Sequence, residues 1–494
     1  MRRFLFYFYA ECDMMIKTIH PEAFMWASEL QLQNIARACA GLDLRTQEPL
    51  SRHTSFRTGG PAALMAFPRT PEELQLLLRS AAAEGVTPYL LGAGTNVLAP
   101  DAGLQALVIC LKDALTGIRP AKIAMQLLEA GESEDAIRSF MKETYYCSEE
   151  KADLAIDIAC REKEILKGIH YEEGYSLYIG IPFCPTTCLY CSFTSFPIHS
   201  WRERVGEYLD ALEKEMDYVK ETCKGKVLDS VYIGGGTPTT LNEEELERLL
   251  GRLRATFDFS QVKEFTVEAG RADSITAGKL RVLKKFGVTR ISVNPQTMNQ
   301  QTLDFIGRRH TVEQVKQAFW LARQEGFDNI NMDLILGLPG EEAEQVRHTM
   351  EEIKALAPDS LTVHSLAVKR ASKMSQWIEK NGLGMLHNTE ETMGIAAQAA
   401  KELGMKPYYL YRQKNMSGNL ENVGYATEGH FGLYNILIME EKQTIMALGA
   451  GTISKAVHPD GLIERCENVK EVALYLEKID EMIERKRKLL GEAQ

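Results

Sequence analysis

From Tyr175 onward the chain alternates short apolar runs with amphipathic helical stretches, and this alternation restricts its fold more than any other feature. Runs at 177–182, 230–233, 264–268, 290–294, 329–336 and 360–364 have strand length. Helical periodicity fills the intervals, as over 204–221, 243–255 and 312–324. Parallel strands need a crossover between them, so six β/α units in series predict a parallel sheet, curved into a partial barrel. In such barrels the chemistry sits at the C-terminal ends of the strands. Three cysteines follow the first strand, Gly234-Gly235-Gly236-Thr237 follows the second, and Glu268, Gln296 and Asp333 lie at later ends.

At 494 residues the length suggests two or three domains. The segments read as 1–33, poorly defined; 34–114, a small α/β unit; 115–170, a helical linker; 171–370, the barrel; and 371–494, a mixed α/β region. In the small unit, 71–84 is helical, and 89–91 and 106–109 are strand-like. In the linker, Gly131 stops a helix, and Ser133 and Ser148 stand where N-caps belong. The tail ends in a charged helix, 469–490, whose Lys and Glu residues read as a solvated face.

The net charge of -11 argues against general nucleic-acid binding, which uses clustered Lys and Arg. No apolar run reaches the roughly 18 residues expected of a membrane span. Aromatic residues follow two arginines at the start, but Glu11 and Asp13 cut the stretch too short for a secretory signal. A start upstream of Met14 or Met15 explains the region equally well. Seven of the ten cysteines are scattered and three cluster. That suits a reducing, cytoplasmic setting in which the clustered thiols are ligands.

The cluster Cys184-Pro185-Thr186-Thr187-Cys188-Leu189-Tyr190-Cys191 is a C-x3-C-x2-C pattern. Thiolates are the natural ligands of a [4Fe–4S] cluster, and three of them leave one iron open to a small molecule. Structural zinc takes four closed ligands, and no second pair follows. The pattern favours a cluster over zinc or a redox dithiol.

With Tyr178-Ile179-Gly180-Ile181-Pro182-Phe183 ahead of it, this segment resembles the radical S-adenosylmethionine superfamily. The resemblance implies a [4Fe–4S] cluster on Cys184, Cys188 and Cys191, and S-adenosylmethionine bound at the open iron. Tyr178 and Tyr190 would line that cofactor. Gly235, Gly236 and Thr237 would hold its methionine part, and Glu268, Gln296, Arg308 and Asp333 would complete the pocket. The structural alternative for Glu268 and Asp333 is a strand-end salt bridge; for Gln296 and Arg308 it is ordinary surface polarity.

Over about 115–490 the finer resemblance is to oxygen-independent coproporphyrinogen dehydrogenases of the HemZ type. It is carried by Thr116-Gly117-Ile118-Arg119-Pro120, Gly307-Arg308-Arg309-His310, the run from Asn331 to Gly340 and the run from Tyr411 to Tyr425. It implies oxidative decarboxylation of a porphyrinogen, an electron donor such as flavodoxin or ferredoxin, and a monomer. Lys369, Arg370, Arg412 and Lys414 are candidate partners for substrate carboxylates. The well-known branch has a fourth cysteine where this chain has Phe193. A related haem-chaperone branch also lacks it, but carries a His-Asn-x-x-Tyr-Trp motif, whereas His387-Asn388 here precedes Thr-Glu-Glu-Thr. A radical methyltransferase acting on haem is the third reading.

Residues 34–112 resemble a different family, UDP-N-acetylenolpyruvoylglucosamine reductase. His53-Thr54-Ser55-Phe56-Arg57-Thr58-Gly59-Gly60 is similar to its opening motif, and Leu91-Gly92-Ala93-Gly94-Thr95-Asn96-Val97-Leu98 to its flavin-pyrophosphate loop. The likeness stops before the remaining FAD-binding strands and the substrate domain. The front therefore reads as a truncated FAD-binding fragment, joined near 112–115 by a deletion fusion or an assembly artefact, without tight FAD binding.

Overall fold

The computed structural model describes residues 27–53, 59–68, 71–91, 101–110, 119–145, 147–369, 372–381, 385–412, 420–459 and 461–490. The chain divides into two compact units, Met1–Gly117 with Ser133–Ala152, and Ile118–Glu132 with Asp153–Gln494.

The first unit holds a four-stranded sheet of β1 (Leu44–Pro49), β2 (Pro61–Ala66), β3 (Tyr89–Leu91) and β4 (Leu104–Cys110) in the order β1-β2-β4-β3. Alternation puts Leu64, Ala66, Leu107 and Ile109 in one apolar cluster with Ile35 and Leu77. Met65, Val108 and Cys110 fall in another with Leu50 and Leu91. Helices Glu29–Ala38 and Pro71–Ala83 supply Ile35 and Leu77. Ser28 starts the first of these with a capping box to Gln31. The loop beyond Leu91, which carries the expected flavin motif, lies outside the described residues, as do 54–58.

The segment read as a helical linker forms helices Ala121–Glu129, Glu134–Tyr145 and Glu149–Leu166. Gly131 takes a φ of +90°, which glycine adopts without steric cost. Ser133 and Ser148 accept the amide hydrogens of Ala136 and Lys151 at 3.2 and 3.3 Å.

The second unit is built on an eleven-stranded sheet. All six expected strands are in it: β5 (Gly174–Ile181), β8 (Val227–Gly235), β9 (Glu264–Gly270), β10 (Arg290–Val293), β11 (Ile330–Leu336) and β12 (Ser360–Ser365). Between β5 and β8 lie the two-residue strands β6 (Phe183–Cys184) and β7 (Phe196–Pro197), paired with each other. After β12 come β13 (Lys406–Tyr411), β14 (Asn422–Ala426), β15 (Thr444–Leu448), β16 (Ile453–Val457) and β17 (Ile463–Glu467). The order is β13-β14-β12-β11-β10-β9-β8-β5-β15-β16-β17. Seven neighbouring strands, β12 through β15 in that order, run parallel, and antiparallel pairs extend both edges. This is an α/β partial barrel. The seventh parallel strand, β15, pairs with the first, β5, and was not among the six expected.

Side-chain alternation explains the barrel. Leu177, Ile179, Val231, Ile233, Phe265, Val267, Ile291 and Leu334 share one apolar core with Leu212, Leu249 and Phe319 from the crossover helices. Burying such a side chain contributes about 1.5–3 kcal/mol. The intervening residues are polar or aromatic. Tyr178 pairs in register with Tyr232, Tyr232 with Thr266, and Thr266 with Arg290. One row higher, Glu268 pairs with Ser292 and Ser292 with Asn331. The face turned away from the helices is therefore polar. The helix Leu433–Glu440 meets this face: the Glu264 carboxylate accepts Leu433 N at 2.6 Å and Tyr434 N at 3.3 Å, where a helix start favours negative charge.

The charged C-terminal helix departs from expectation. It is two helices, Val472–Glu477 and Ile479–Leu489, and Lys486 is not solvated. Its ammonium is buried 2.6 Å from Glu215 Oε1 and 2.6 Å from Asn468 Oδ1. Residue type suggested solvent; the buried carboxylate on the helix Val205–Thr222 reverses it.

Candidate functional site

The three cysteines lie on a loop pinned at several points. β6 and β7 close it, and Phe196 N donates to Pro182 O at 2.7 Å. Leu189 N donates to Ile306 O and Met374 N to Leu189 O, both at 2.9 Å. Leu189 and Tyr190 pack on a cluster that includes Leu303, Ile335 and Leu366. Cys188 is buried, and Cys184 and Cys191 are half-buried free thiols. Cys184 Sγ lies 3.5 Å from Thr237 Oγ1, and Cys191 Sγ 3.9 Å from Ser195 Oγ. Burial pushes the Cys184 thiol up to about 11, against the Thr237 hydrogen bond. Burial raises Cys191 too, and the neighbouring thiols add to both shifts.

Among the described residues no three metal-ligating side chains converge on one point, as a single ion would require. An iron–sulfur cluster makes no such demand, since each thiolate holds a different iron. Three adjacent thiols on one fixed loop, with hydroxyls and a guanidinium beside them, fit that group.

The glycine run closes on the same loop. Gly236 N donates to Ile181 O at 2.8 Å and Thr237 N to Phe183 O at 2.7 Å. A Cβ on Gly236 would stand 2.6 Å from Phe183 O and 2.9 Å from Ile181 O, so the approach of these two strand ends requires glycine. Beneath it, Tyr178, Tyr232 and Tyr434 form a stack, with ring centroids 4.5 to 5.9 Å apart. The Tyr232 hydroxyl donates to Glu268 Oε1 at 2.6 Å. Burial lifts the Glu268 carboxyl to about 7, although the Tyr232 hydrogen bond pulls the other way.

Gln296 adopts a left-handed φ of +71°. That turn lets Gln296 N donate to Asp333 O at 3.0 Å and Ile335 N to Gln296 O at 2.9 Å. Gln296 Oε1 is buried with no hydrogen-bond partner, a donor-seeking atom beside the strand ends. Asp333 sits in the middle of β11 rather than at its end. Its carboxylate accepts from Asn331 Nδ2 at 2.7 Å and lies 4.0 Å from His364 Nε2. Burial raises Asp333, but His364, Asn331 and Thr362 outweigh it and hold the group below its ordinary range. Arg308 is buried and donates to Asn294 O. Burial works against its charge, yet Tyr190 and Cys188 beside it keep its pKa raised.

The structure thus gathers Tyr178, Gly235, Gly236, Thr237 and Glu268 around the ends of β5, β8 and β9. Gln296 joins Asp333, and Arg308 joins Tyr190 and Cys188. Of the proposed carboxylate partners, Lys369 is exposed and Arg412 half-buried, and Arg370 and Lys414 lie outside the described residues. Sequence reading missed Tyr232, Tyr434, His364 and Tyr411, whose hydroxyl lies 3.2 Å from His364 Nδ1. Period-2 alternation along β8 and β12 already marks Tyr232 and His364 as facing away from the helices. No such signal marks Tyr434, which sits on an apolar helix.

Residues 178–353 match the Radical SAM superfamily. The oxygen-independent coproporphyrinogen-III oxidase-like protein HemZ of Bacillus subtilis is 43% identical over 381 residues, 76% of each chain. The chain belongs to the coproporphyrinogen oxidase-like family of radical SAM proteins. Within this radical SAM family, the heme chaperone HemW of Bacillus subtilis is 39% identical over 213 residues, 43% of this chain and 55% of that one. The solved structure of coproporphyrinogen III oxidase (HemN) from Escherichia coli shares the fold. Its TM-score is 0.51 at 22% identity, covering 65% of this chain and 73% of that one. The superfamily match falls wholly within the second unit, which holds every residue of the site.

Proposed function

We propose that this chain carries out the oxygen-independent oxidative decarboxylation of coproporphyrinogen III. At each of two propionate side chains, the radical left by removal of a β-hydrogen atom gives one electron to an external one-electron acceptor and releases carbon dioxide, leaving a vinyl group, so that coproporphyrinogen III becomes protoporphyrinogen IX. The observation that carries the reading is the 43% identity to HemZ across 76% of both chains. The pinned cysteine loop and the polar strand ends support it.

On this reading Cys184, Cys188 and Cys191 hold a [4Fe–4S] cluster and leave one iron open. When bound, the cluster and S-adenosylmethionine supply a carbon radical able to take a hydrogen atom from a propionate β-carbon. Gly235, Gly236 and Thr237 hold the methionine part. Glu268, close to neutrality, loses its proton when a cationic amine is placed against it. Tyr178, Tyr190, Gln296, Arg308 and Asp333 complete the pocket. Lys369, Arg370, Arg412 and Lys414 pair with the substrate's carboxylates, and a flavodoxin or ferredoxin supplies the electron.

The test is anaerobic reconstitution with iron and sulfide, then incubation with S-adenosylmethionine, a reductant, a one-electron acceptor and coproporphyrinogen III. Vinyl product is expected. Cofactor cleavage with no vinyl product and no carbon dioxide would sink the reading.

Two observations favour a second reading, a haem-handling protein: the identity to HemW, and Phe193 in place of the fourth cysteine. Its signature is one haem bound tightly per chain without turnover.

A further inference from the structure

Arg271 belongs to none of the groups above, yet it faces the cysteine loop. It follows the turn at Gly270 that ends β9, and its side chain is 3% exposed. Asp273 grips one edge of the guanidinium, with Nε to Oδ1 at 2.9 Å and Nη2 to Oδ2 at 2.6 Å. Nη1, on the other edge, donates to Thr186 Oγ1 at 2.8 Å and Thr186 O at 3.2 Å, and lies 3.9 Å from Cys188 Sγ. Behind Asp273 stands His310, fully buried, with Nδ1 3.8 Å from Asp273 Oδ1.

A guanidinium is a rigid planar fork with five donors, so two bonds to Asp273 fix where the third nitrogen points. The carboxylate lies on the far edge, and the ion pair presents its positive end to Cys188. Hydrogen bonds to cysteine sulfur and nearby charge are among the main determinants of a cluster's reduction potential. Adding an electron adds negative charge at the sulfurs, and a fixed cation beside one of them favours the reduced form.

We propose that Arg271, aimed by Asp273 at Cys188, is a positioning residue that raises the reduction potential of the cluster. The proposal rests on the reading that these cysteines hold a cluster. The roles of Gly236, Glu268, Arg308 and the other pocket residues lie outside it.

The test is a potentiometric titration of the reconstituted full-length chain, followed by electron paramagnetic resonance, for wild type, R271Q and R271K. In R271Q the reduced form should lose about tenfold, a downward shift of about 59 mV for a one-electron couple. R271K, which keeps a charge but not the fork, should shift in the same direction by less. An R271Q cluster that titrates with wild type overturns the proposal. If R271Q assembles no cluster, R271K decides, and a wild-type potential there overturns it equally. A wild-type chain that takes up no iron–sulfur cluster would instead bring down the reading of the cysteines themselves.

Discussion

Tyr232 and Glu268, on neighbouring parallel strands, share a 2.6 Å hydrogen bond on the barrel face turned away from the helices. The phenol is the donor, so the bond is made with the carboxylate, while burial favours the neutral acid. The balance leaves Glu268 at about 7.

This has a consequence for stability in the ligand-free protein. A carboxyl raised from 4.5 to about 7 keeps its proton in the folded state where the unfolded chain has lost it. Its contribution is fully present below 4.5, declines as pH rises toward 7, and stays lost above it. The ceiling is about 3 kcal/mol. Urea midpoints measured at about pH 5 and about pH 8 should fall in wild type and fall less in Glu268→Gln. Equal declines in the two proteins would remove Glu268 as the source.

The same carboxyl makes cofactor binding pH-dependent. An amine cation binds the ionised form, so affinity for S-adenosylmethionine should rise through about pH 7 and then level off. Calorimetry in two buffers of different ionisation enthalpy would show proton release near pH 6.5 that disappears in Glu268→Gln. Buffer-independent heats in wild type would contradict it.

Gly236→Ala tests the closeness of the strand ends. The new Cβ meets backbone oxygen at 2.6 Å, which cannot rotate away, and relief requires the start of the cysteine loop to move. A local cost of about 1–3 kcal/mol follows, and cofactor affinity should drop at least tenfold. Gly206→Ala is the control, since its Cβ meets nothing within 4 Å on the helix Val205–Thr222. Equal binding by both variants would refute the argument.

Much of this site was legible in the sequence because the signals were local. The cysteine spacing needs only eight residues, and the six strands announced themselves as apolar runs between helices. The misses depend on contacts far apart in the chain. β15 is only five residues, Thr-Ile-Met-Ala-Leu, too short a run to stand out by itself, and it becomes a strand by pairing with β5 some 270 residues earlier. Tyr434 joins the aromatic stack because Glu264 caps its helix. Lys486 reads as solvent-facing until Glu215 is placed opposite it. Arg271 gains its role only because the turn at Gly270 brings it back over the cysteine loop.

The cysteine assignment predicts a selective loss. Replacing Cys184, Cys188 or Cys191 by Ser should each abolish stable cluster retention after anaerobic reconstitution, read as iron and sulfide per chain. Cys466→Ser should retain wild-type iron, because that thiol is buried at β17, away from the loop. Iron retained in all three loop variants would sink the assignment.

Lys486 and Glu215 should act as a unit in stability. Glu215 also accepts hydrogen bonds from Gly449 N at 2.7 Å, Asn468 Nδ2 at 2.9 Å and the Tyr475 hydroxyl. Gly449 directly follows β15, and a Cβ there would stand 2.5 Å from Gly180 O of β5, so this buried network holds the seventh parallel strand against the first. Lys486→Met strands a buried carboxylate and should cost about 3–5 kcal/mol. Adding Glu215→Gln removes the orphaned charge while keeping the shape, so the double variant should recover about 1 kcal/mol or more relative to Lys486→Met. Urea denaturation of the two single variants and the double variant measures the coupling. Strict additivity would mean that the network does not act as one, and that β15 is held by strand pairing alone.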